Sequence, residues 1–365
     1  MRFVSAHPPA RPMASVPIFG CLARRGGVHL LIVGIDVYAP EEYDQSLASD
    51  LVTLLNAASN VDSPHMPPRH PRSHLLEMLH GWDEDGPERV LTLRDAAGQL
   101  VGAADVHVSQ WEDNQHMAHV DVTVHPDHRR SGHGSTLLDA VTGLARDWGK
   151  TLTSCEAWAD SSGEGFAAYH GYKPGMRSAQ RRLDLAALDW GQIDELHAEA
   201  ADKATAYELV SIVGRAPEAL IPDLVAVTAA INDAPLDDLE WEDEIYSVDR
   251  VRAFETAQAA RERRLYRLLA RRIEDGGCAG HTVVAVDPRR PSYGNQMDTT
   301  VLVEHRGNRL GLLLKTAMLR WLRETEPQLD LIDTWNAESN THMIAVNDRL
   351  GCFVVARGGI WQRRL

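Results

Sequence analysis

The sequence predicts an α/β protein built from two copies of one unit, each a mixed, twisted sheet flanked by helices. Two observations carry that expectation. A strand, a basic glycine-containing loop and an amphipathic helix follow one another in "HVDVTVHPDHRRSGHGSTLLDAVTGLARDWG" and again in "DTTVLVEHRGNRLGLLLKTAMLRWLRE". Gly134 and Gly311 mark equivalent points of the two, 177 residues apart. The length of 365 residues is also enough for two cores. The expected divisions are an N-terminal arm over 1–27, a first domain over 28–187 and a second over 188–365.

The elements follow in order. The arm carries Pro8, Pro9, Pro12 and Pro17, four arginines and no acidic residue, and it lacks the apolar stretch of a secretory signal. "VHLLIVGIDVY" reads as a strand, and Leu47, Leu51, Leu54 and Leu55 set a helical period after it. The Pro- and His-rich stretch 63–74 is loop. Two strands around a turn fill Arg89–Ser109. Val120, Val122 and Val124 alternate with polar residues in the next strand. Leu137, Leu138, Val141, Leu144, Ala145 and Trp148 give the following helix its apolar face, and "TLTSCEAWA" is a strand. Near Leu185–Trp190 a strand-like run gives way to the helical pattern of "IDELHAEAADKATAYELV". A long charged helical stretch is expected over "RVRAFETAQAARERRLYRLLARRIED". A strand then starts at Asp298, the helix of Leu313, Leu314, Ala317, Met318 and Leu322 follows, and "LDLIDTWNA" is a strand.

Composition narrows the function. Apolar residues make 44 % of the chain and charged residues 24 %, as in globular proteins. A net charge of −15 disfavours nucleic acid as partner. No apolar run reaches a membrane span, and the four cysteines form no CxxC pair. The default location is the cytoplasm, as a monomer or homodimer.

The loop "HPDHRRSGHG" narrows it further. His125, His128 and His133 match no strong metal spacing, and the arginines between them repel a dication; no metal is expected. A phosphate cradle fits better. The loop joins a strand end to a helix N-terminus, glycines permit tight turns that aim N–H groups inward, and arginines add charge. It is neither a Walker loop nor GxGxxG. An ordinary turn with solvated arginines is the alternative.

At this point the sequence resembles the GNAT superfamily of N-acetyltransferases, in the tandem form of actinobacterial mycothiol-synthase-like members. The resemblance spans residues 28–365. Arg129, Gly132 and Gly134 fill the family's Arg/Gln-x-x-Gly-x-Gly/Ala pattern. Aligning Gly311 on Gly134 puts Arg306 on Arg129 and Arg309 on Gly132, and "NAESNTHMIAVNDRLGC" resembles the end of a C-terminal copy. The resemblance implies acetyl transfer from acetyl-CoA to a primary amine of a small molecule, by direct attack in a ternary complex. It implies a sheet splayed between the fourth and fifth strands of each copy. The pantetheine would lie along Asp121–Val124, with Val122 and Val124, and along Thr300–Val303, with Val301 and Val303. The pyrophosphate would sit on Arg129–Ser135 (Arg129, Arg130, Gly132, Gly134, Ser135) and Arg306–Leu312 (Arg306, Gly307, Asn308, Arg309, Gly311, Leu312). Asn336 and Asn340 would bond the cofactor or shape the acceptor cleft, and Asn340 also reads as a helix cap.

Acetyl transfer needs a base, an oxyanion site and a means of discharging the thiolate. The family's tyrosine acid is replaced by Ala167 in the first copy and Asn347 in the second, and Tyr169 lies two residues late. Among the carboxylates Asp298 is the expected base or orienter, placed just before the second copy's fourth strand. Asp121 and Glu156 are weaker candidates. Cys155 and Cys352 read as small buried residues. The second copy is expected to be the catalytic one, with the acids Glu240, Glu242, Asp243 and Glu244 at its acceptor wall. The missing tyrosines keep open a different class, a non-catalytic acyl-CoA-binding sensor or scaffold.

Overall fold

The computed structural model describes residues 34–83 and 88–365. The expected arm and the start of the first strand lie outside them. The first half runs β1 (Ile35–Tyr38), α1 (Gln45–Asp62), α2 (Pro71–His80), β2 (Arg89–Arg94), β3 (Leu100–Val108), β4 (Met117–Val124), α3 (His133–Asp147), β5 (Leu152–Trp158), α4 (Ser162–Tyr169) and β6 (Lys173–Asp184). The second runs α5 (Trp190–Lys203), β7 (Tyr207–Val213), α6 (Ile221–Ala229), α7 (Val248–Ala260), β8 (Arg264–Arg272), β9 (Cys278–Val286), β10 (Tyr293–Val301), α8 (Leu310–Thr325), β11 (Leu331–Ala337), α9 (Thr341–Arg349) and β12 (Phe353–Arg364). From β7 onward the second half repeats the first element for element, and α5 is an addition that packs on α8.

The two halves share one sheet, in the order β1-β2-β3-β4-β5-β12-β6-β11-β10-β9-β8-β7. Each half's last strand is lodged in the other half. β12 pairs with β5 and β6, and β6 pairs with β12 and β11. In the first half, α3 packs Leu137, Leu138, Val141 and Ala145 against β3 and β4, while α1 and α2 cover the opposite face. In the second, α5 and α8 cover one face and α6 with α7 the other.

Three expectations need correction. The long charged helix stops at Ala260, and Glu262 turns the chain at φ +59. "RLYRLLARR" is β8, a central strand whose residues Leu265–Ala270 are all buried. A strand buried on both faces carries no alternation to separate it from a helix. The expected helix after Trp190 is also shorter: α5 ends at Lys203, and Tyr207–Val213 form β7, an edge strand with only Ile212 buried. Third, β10 begins at Tyr293 and ends at Val301. Asp298 therefore lies inside the strand, not before it. Val303 lies beyond it, in a 3-10 turn and 63 % exposed, because the chain turns at once into the loop.

A buried carboxylate fastens the exchange. Asp333 on β11 accepts from Arg182 Nε (2.7 Å), Arg182 Nη2 (2.7 Å) and Gln180 Nε2 (2.6 Å) on β6, and from Tyr293 Oη (2.8 Å) on β10. Gln180 in turn meets His65 Nε2 at 2.8 Å, from the α1–α2 connection. Removing one partner of such a pair strands the other charge in the interior. Asp333→Ala should lower unfolding stability by roughly 3–5 kcal/mol, read from the midpoint and slope of a urea denaturation curve. Because the strands are exchanged, probes in both halves should move together.

Candidate functional site

Two clefts open in the sheet at equivalent places. β4 and β5 run parallel and pair only at Met117↔Leu152, Ala118↔Thr153 and His119↔Ser154. β10 and β11 pair only at Tyr293↔Leu331, Gly294↔Ile332 and Asn295↔Asp333. Beyond these pairs the strands part, and the rest of β4 and β10 presents an unladdered backbone edge to the gap. The two clefts differ in one respect. β3 and β4 stay in continuous register through Gly102↔Val124. β9 and β10 slip between Gln296 and Thr299, so Met297 and Asp298 oppose Val283 alone. That is a β-bulge, which turns a side chain and leaves a backbone group unpaired.

Each open strand leads through a 3-10 turn into the predicted loop. The loops share their backbone form residue by residue. Arg130 and Gly307 have φ of +62 and +83, and Gly132 and Arg309 have φ of +88 and +57. Gly132 and Arg309 are the N-caps of α3 and α8, and neither helix has a side-chain cap. By contrast α1, α4, α5, α7 and α9 are closed by Asp44, Ser161, Asp189, Ser247 and Asn340. An uncapped N-terminus after a turn of this kind offers several N–H groups and the positive end of the helix dipole to an anion.

The motif arginines brace these loops. Arg129 Nε donates to Val124 O at 3.1 Å and forks onto both oxygens of Asp62. Arg306 Nε donates to Val301 O, also at 3.1 Å, and pairs with Asp233. Arg309 and Arg349 both pair with Glu199 of α5. Ser135 Oγ lies 3.0 Å from His170 Nε2, and Asn308 Nδ2 donates to His305 O at 3.1 Å. Leu312 is buried in α8, while Val122, Val124 and Val301 are partly buried against the cores. A Cβ at Gly311 would meet nothing within 4 Å, whereas one at Gly134 would meet the Phe166 ring at 3.1 Å. Asn340 caps α9 at Met343 N (3.1 Å), and Asn336 Oδ1 accepts from Asn347 Nδ2 at 2.7 Å. Asn347, at the tyrosine position, is fully buried, and its Oδ1 has no partner.

Beside the bulge a pocket lies under α6 and α7. Its walls come from Asp298 and Met297 on β10, His281 and Val283 on β9, Arg267 on β8, and Arg250 and Phe254 on α7. Glu244 and Tyr246 enter from the connection before α7, and Trp82 and Asp83 enter from the first half. Arg250 gathers the acids. It pairs with Asp113 (2.7 Å), Glu244 (2.9 Å) and Asp83 (3.3 Å). Asp298 has no such cation to itself. Burial, then the negative charge of Glu244, push its carboxyl up to about 6 against the pull of Arg267.

The same 177-residue offset that aligns the loops places Asp298 on Asp121. The first half's carboxylate has different company. Asp121 lies 3.6 Å from His119 Nε2, and His119 Nδ1 meets Ser154 Oγ at 3.0 Å. Burial lowers the imidazole's affinity for a proton, but Asp121, then Glu156 and Asp105, outweigh it and raise His119 to about 9. His107 sits 3.2 Å from Asp105 alongside. Of the expected acids, Glu244 reaches the pocket, while Glu240 pairs with Arg364 and Glu242 meets Asn114. Burial pushes the Cys155 thiol up to about 12, in keeping with a packing role. Sequence reasoning missed His281, Arg267, Tyr246, Trp82 and Asp83. The alignment of Asp121 with Asp298 was available from the repeat, but the pocket is assembled from six separate stretches and has no local signal. Among the described residues no group of three His, Cys, Asp or Glu is placed to hold a metal ion. Nor, among them, is any helix long and apolar enough to cross a membrane.

Comparison with known proteins places this geometry. Residues 55–172 match the model of the acetyltransferase (GNAT) family. The chain is 30 % identical over 131 residues to the mycothiol acetyltransferase of Stackebrandtia nassauensis, a match to 35 % of this chain and 38 % of that relative. It is 31 % identical over 157 residues to the mycothiol acetyltransferase of Nocardiopsis dassonvillei, covering 43 % and 39 %. The matches thus span about two fifths of the relatives' length. Among solved structures, a tandem GNAT protein from the clavulanic acid biosynthesis pathway aligns over 91 % of this chain and 98 % of its own, with a TM-score of 0.74 and 26 % identity. A GCN5-related N-acetyltransferase from Sphaerobacter thermophilus shares the fold at 16 % identity and a TM-score of 0.63, over 90 % and 95 % of the chains.

The raised Asp298 carboxyl has a consequence for stability. Folding holds it protonated to higher pH than the unfolded chain does, so stability is lost as pH rises from the ordinary aspartate value to about 6. Asp298→Asn should therefore melt above the wild type at pH 7, and the gap should close below pH 4. Thermal unfolding at the two pH values checks it.

Proposed function

From its place in the GNAT family, as a tandem member, we propose that this chain moves an acetyl group from acetyl-CoA to the primary amine of a small molecule, with the chemistry in the second half. The observation that carries the reading is Asp298. It sits in a bulge of β10, beyond that strand's last pair with β11, and lines the pocket under α6 and α7.

Acetyl-CoA, when bound, supplies the thioester. The residues present suit it. The unladdered edge of β10 can hydrogen-bond the pantetheine amides, and the backbone N–H groups of the loop Arg306–Leu312 suit its pyrophosphate. Arg306 holds that loop to the strand end through Val301 O, which fixes the N–H groups relative to the cleft. The acceptor enters from the pocket. The acceptor's ammonium first loses one proton to solvent through Asp298, and Asp298, ionised again, takes the second as the neutral nitrogen attacks the thioester carbonyl. The edge of β10 beyond Asn295, which makes no ladder with β11, offers backbone N–H groups to charge developing on the carbonyl oxygen. The C–N bond forms, the C–S bond breaks, and CoA leaves as the thiolate. Ala167 and Asn347 stand at the tyrosine positions, so neither copy has a phenol at that place. The proton taken up by Asp298 passes to solvent and balances the thiolate there.

The first half keeps the loop conformation and the uncapped helix, and the family model falls on it. We therefore assign it a second acetyl-CoA site. Its carboxylate at the equivalent position, Asp121, is engaged with His119.

Two outcomes are expected. Calorimetric titration with acetyl-CoA should give two sites per chain, and Gly311→Glu should leave one site while abolishing CoA release with amines. Two sites without CoA release to any amine would establish the sensor reading instead. The rate constant kcat/KM should climb with pH to a plateau, with an inflection near 6 from Asp298 ionising. Asp298→Asn should lower kcat by roughly 10²–10⁴-fold and remove that inflection, measured by thiol release from pH 5 to 8.

A further inference from the structure

The floor of the pocket holds polar groups that the proposed reaction leaves unused. His281 is 1 % exposed, and neither ring nitrogen has a hydrogen-bond partner. Burial, then the charge of Arg267, push it down to about 3, so the imidazole is neutral. A neutral imidazole has one N–H donor and one acceptor nitrogen. One strand further from the cleft, Arg267 is 2 % exposed. Its Nη1 donates to Glu255 at 2.8 Å, and its Nε–H has no acceptor. Buried donors left unpaired cost free energy, and in a native structure each calls for an explanation.

At the cleft end, Glu244, Asp83 and Asp113 share one cation, Arg250, and Asp298 has no ion-pair partner among the described residues. At the floor Arg267 pairs with Glu255, and Arg252, which also meets Glu255, is matched by Glu218. The donors left open there are the Arg267 Nε–H and the neutral His281. Between the two ends stand Val283, Met297 and Phe254. A ligand lying along this line would place a cation beside Asp298 and an anion beside His281 and Arg267, with apolar atoms between.

We propose that the acceptor is an ω-amino acid type of zwitterion, its amine beside Asp298 and its carboxylate on the His281 N–H and the Arg267 Nε–H. This rests on the acetyl-transfer reading and makes His281 a specificity-determining residue of that site. The spacing of the strands sets the length of the acceptor. Asp298 on β10 and Arg267 on β8 both oppose Val283 of β9, and His281 lies two residues along that strand. Two strand steps span about 10 Å. An α-amino acid is too short to reach both ends, and a chain with several carbons between amine and carboxylate fits.

The test compares γ-aminobutyrate with n-butylamine, which differ in the carboxylate, as acceptors for the full chain with acetyl-CoA. Thiol release is followed. The expected result is a kcat/KM for γ-aminobutyrate at least tenfold above that for n-butylamine, carried by KM. His281→Leu should reduce that ratio tenfold or more without lowering the melting temperature of the free protein, since it removes an unpaired buried polar group. His281→Gln, which keeps a donor and an acceptor, should restore part of the ratio. Equal kcat/KM for the two amines in the wild type overturns the inference and leaves acetyl transfer standing. So does a ratio unchanged in His281→Leu. No transfer to γ-aminobutyrate also overturns it. The broader reading is then judged separately, by acetyl-CoA calorimetry and by transfer to other primary amines.

Discussion

Everything in this molecule hangs on the exchange of its last strands. A cleft between two parallel strands is an unstable thing to leave in a sheet, because beyond the third pair β4 and β10 give up their ladder on one side. The far wall of each cleft must therefore be held from behind. β5 is held by β12, which belongs to the other half of the chain, and β11 is held by β6. Asp333 locks that arrangement at its centre, joining β11 to β6 and β10 and, through Gln180, to the connection that carries His65. The gaps stay open because the sheet between them cannot shear.

Within that frame the two halves have gone separate ways on a common backbone. The loops match down to the positions of their left-handed residues, although arginine stands for glycine at one place in each. Asp121 and Asp298 occupy the same register. What differs is the neighbourhood. In the first half the carboxylate faces histidines and pairs with one. In the second a bulge and an apolar wall leave it without a counter-ion, and its proton affinity rises. The first half is still part of the second half's chemistry, since Trp82 and Asp83 line the pocket and Asp113 holds Arg250.

How much of this the sequence disclosed follows from the range of each interaction. The repeat, the glycine loops and the amphipathic helices α3 and α8 are local patterns, and each was legible. Asp298 was singled out by resemblance, although its place inside a bulge was not readable. A bulge is fixed by pairing with β9, which no periodicity reports. The sequence of β8 reads as helix because a strand buried on both faces has no alternation to show. The exchange of β6 and β12 was invisible for a deeper reason. Either strand would satisfy its own half equally well by pattern, and only the competition between long-range pairings decides. His281 had no signal at all, since a single histidine in "CAGHTVVAV" gains meaning only when Arg267 and Asp298 join it in the lining of one pocket.

The position of β12 also governs how the chain comes into being. β5 and β6 are synthesised close together, with only α4 between them, and left alone they would be natural neighbours. In the finished sheet β12 stands between them. As the polypeptide leaves the ribosome, the first half must therefore wait with two unpaired strand edges until the whole of the second half has been translated. Such edges are templates for mispairing with any passing strand. The interval before β12 arrives is therefore one in which the first half carries open strand edges, and a translational pause within the second half would lengthen it.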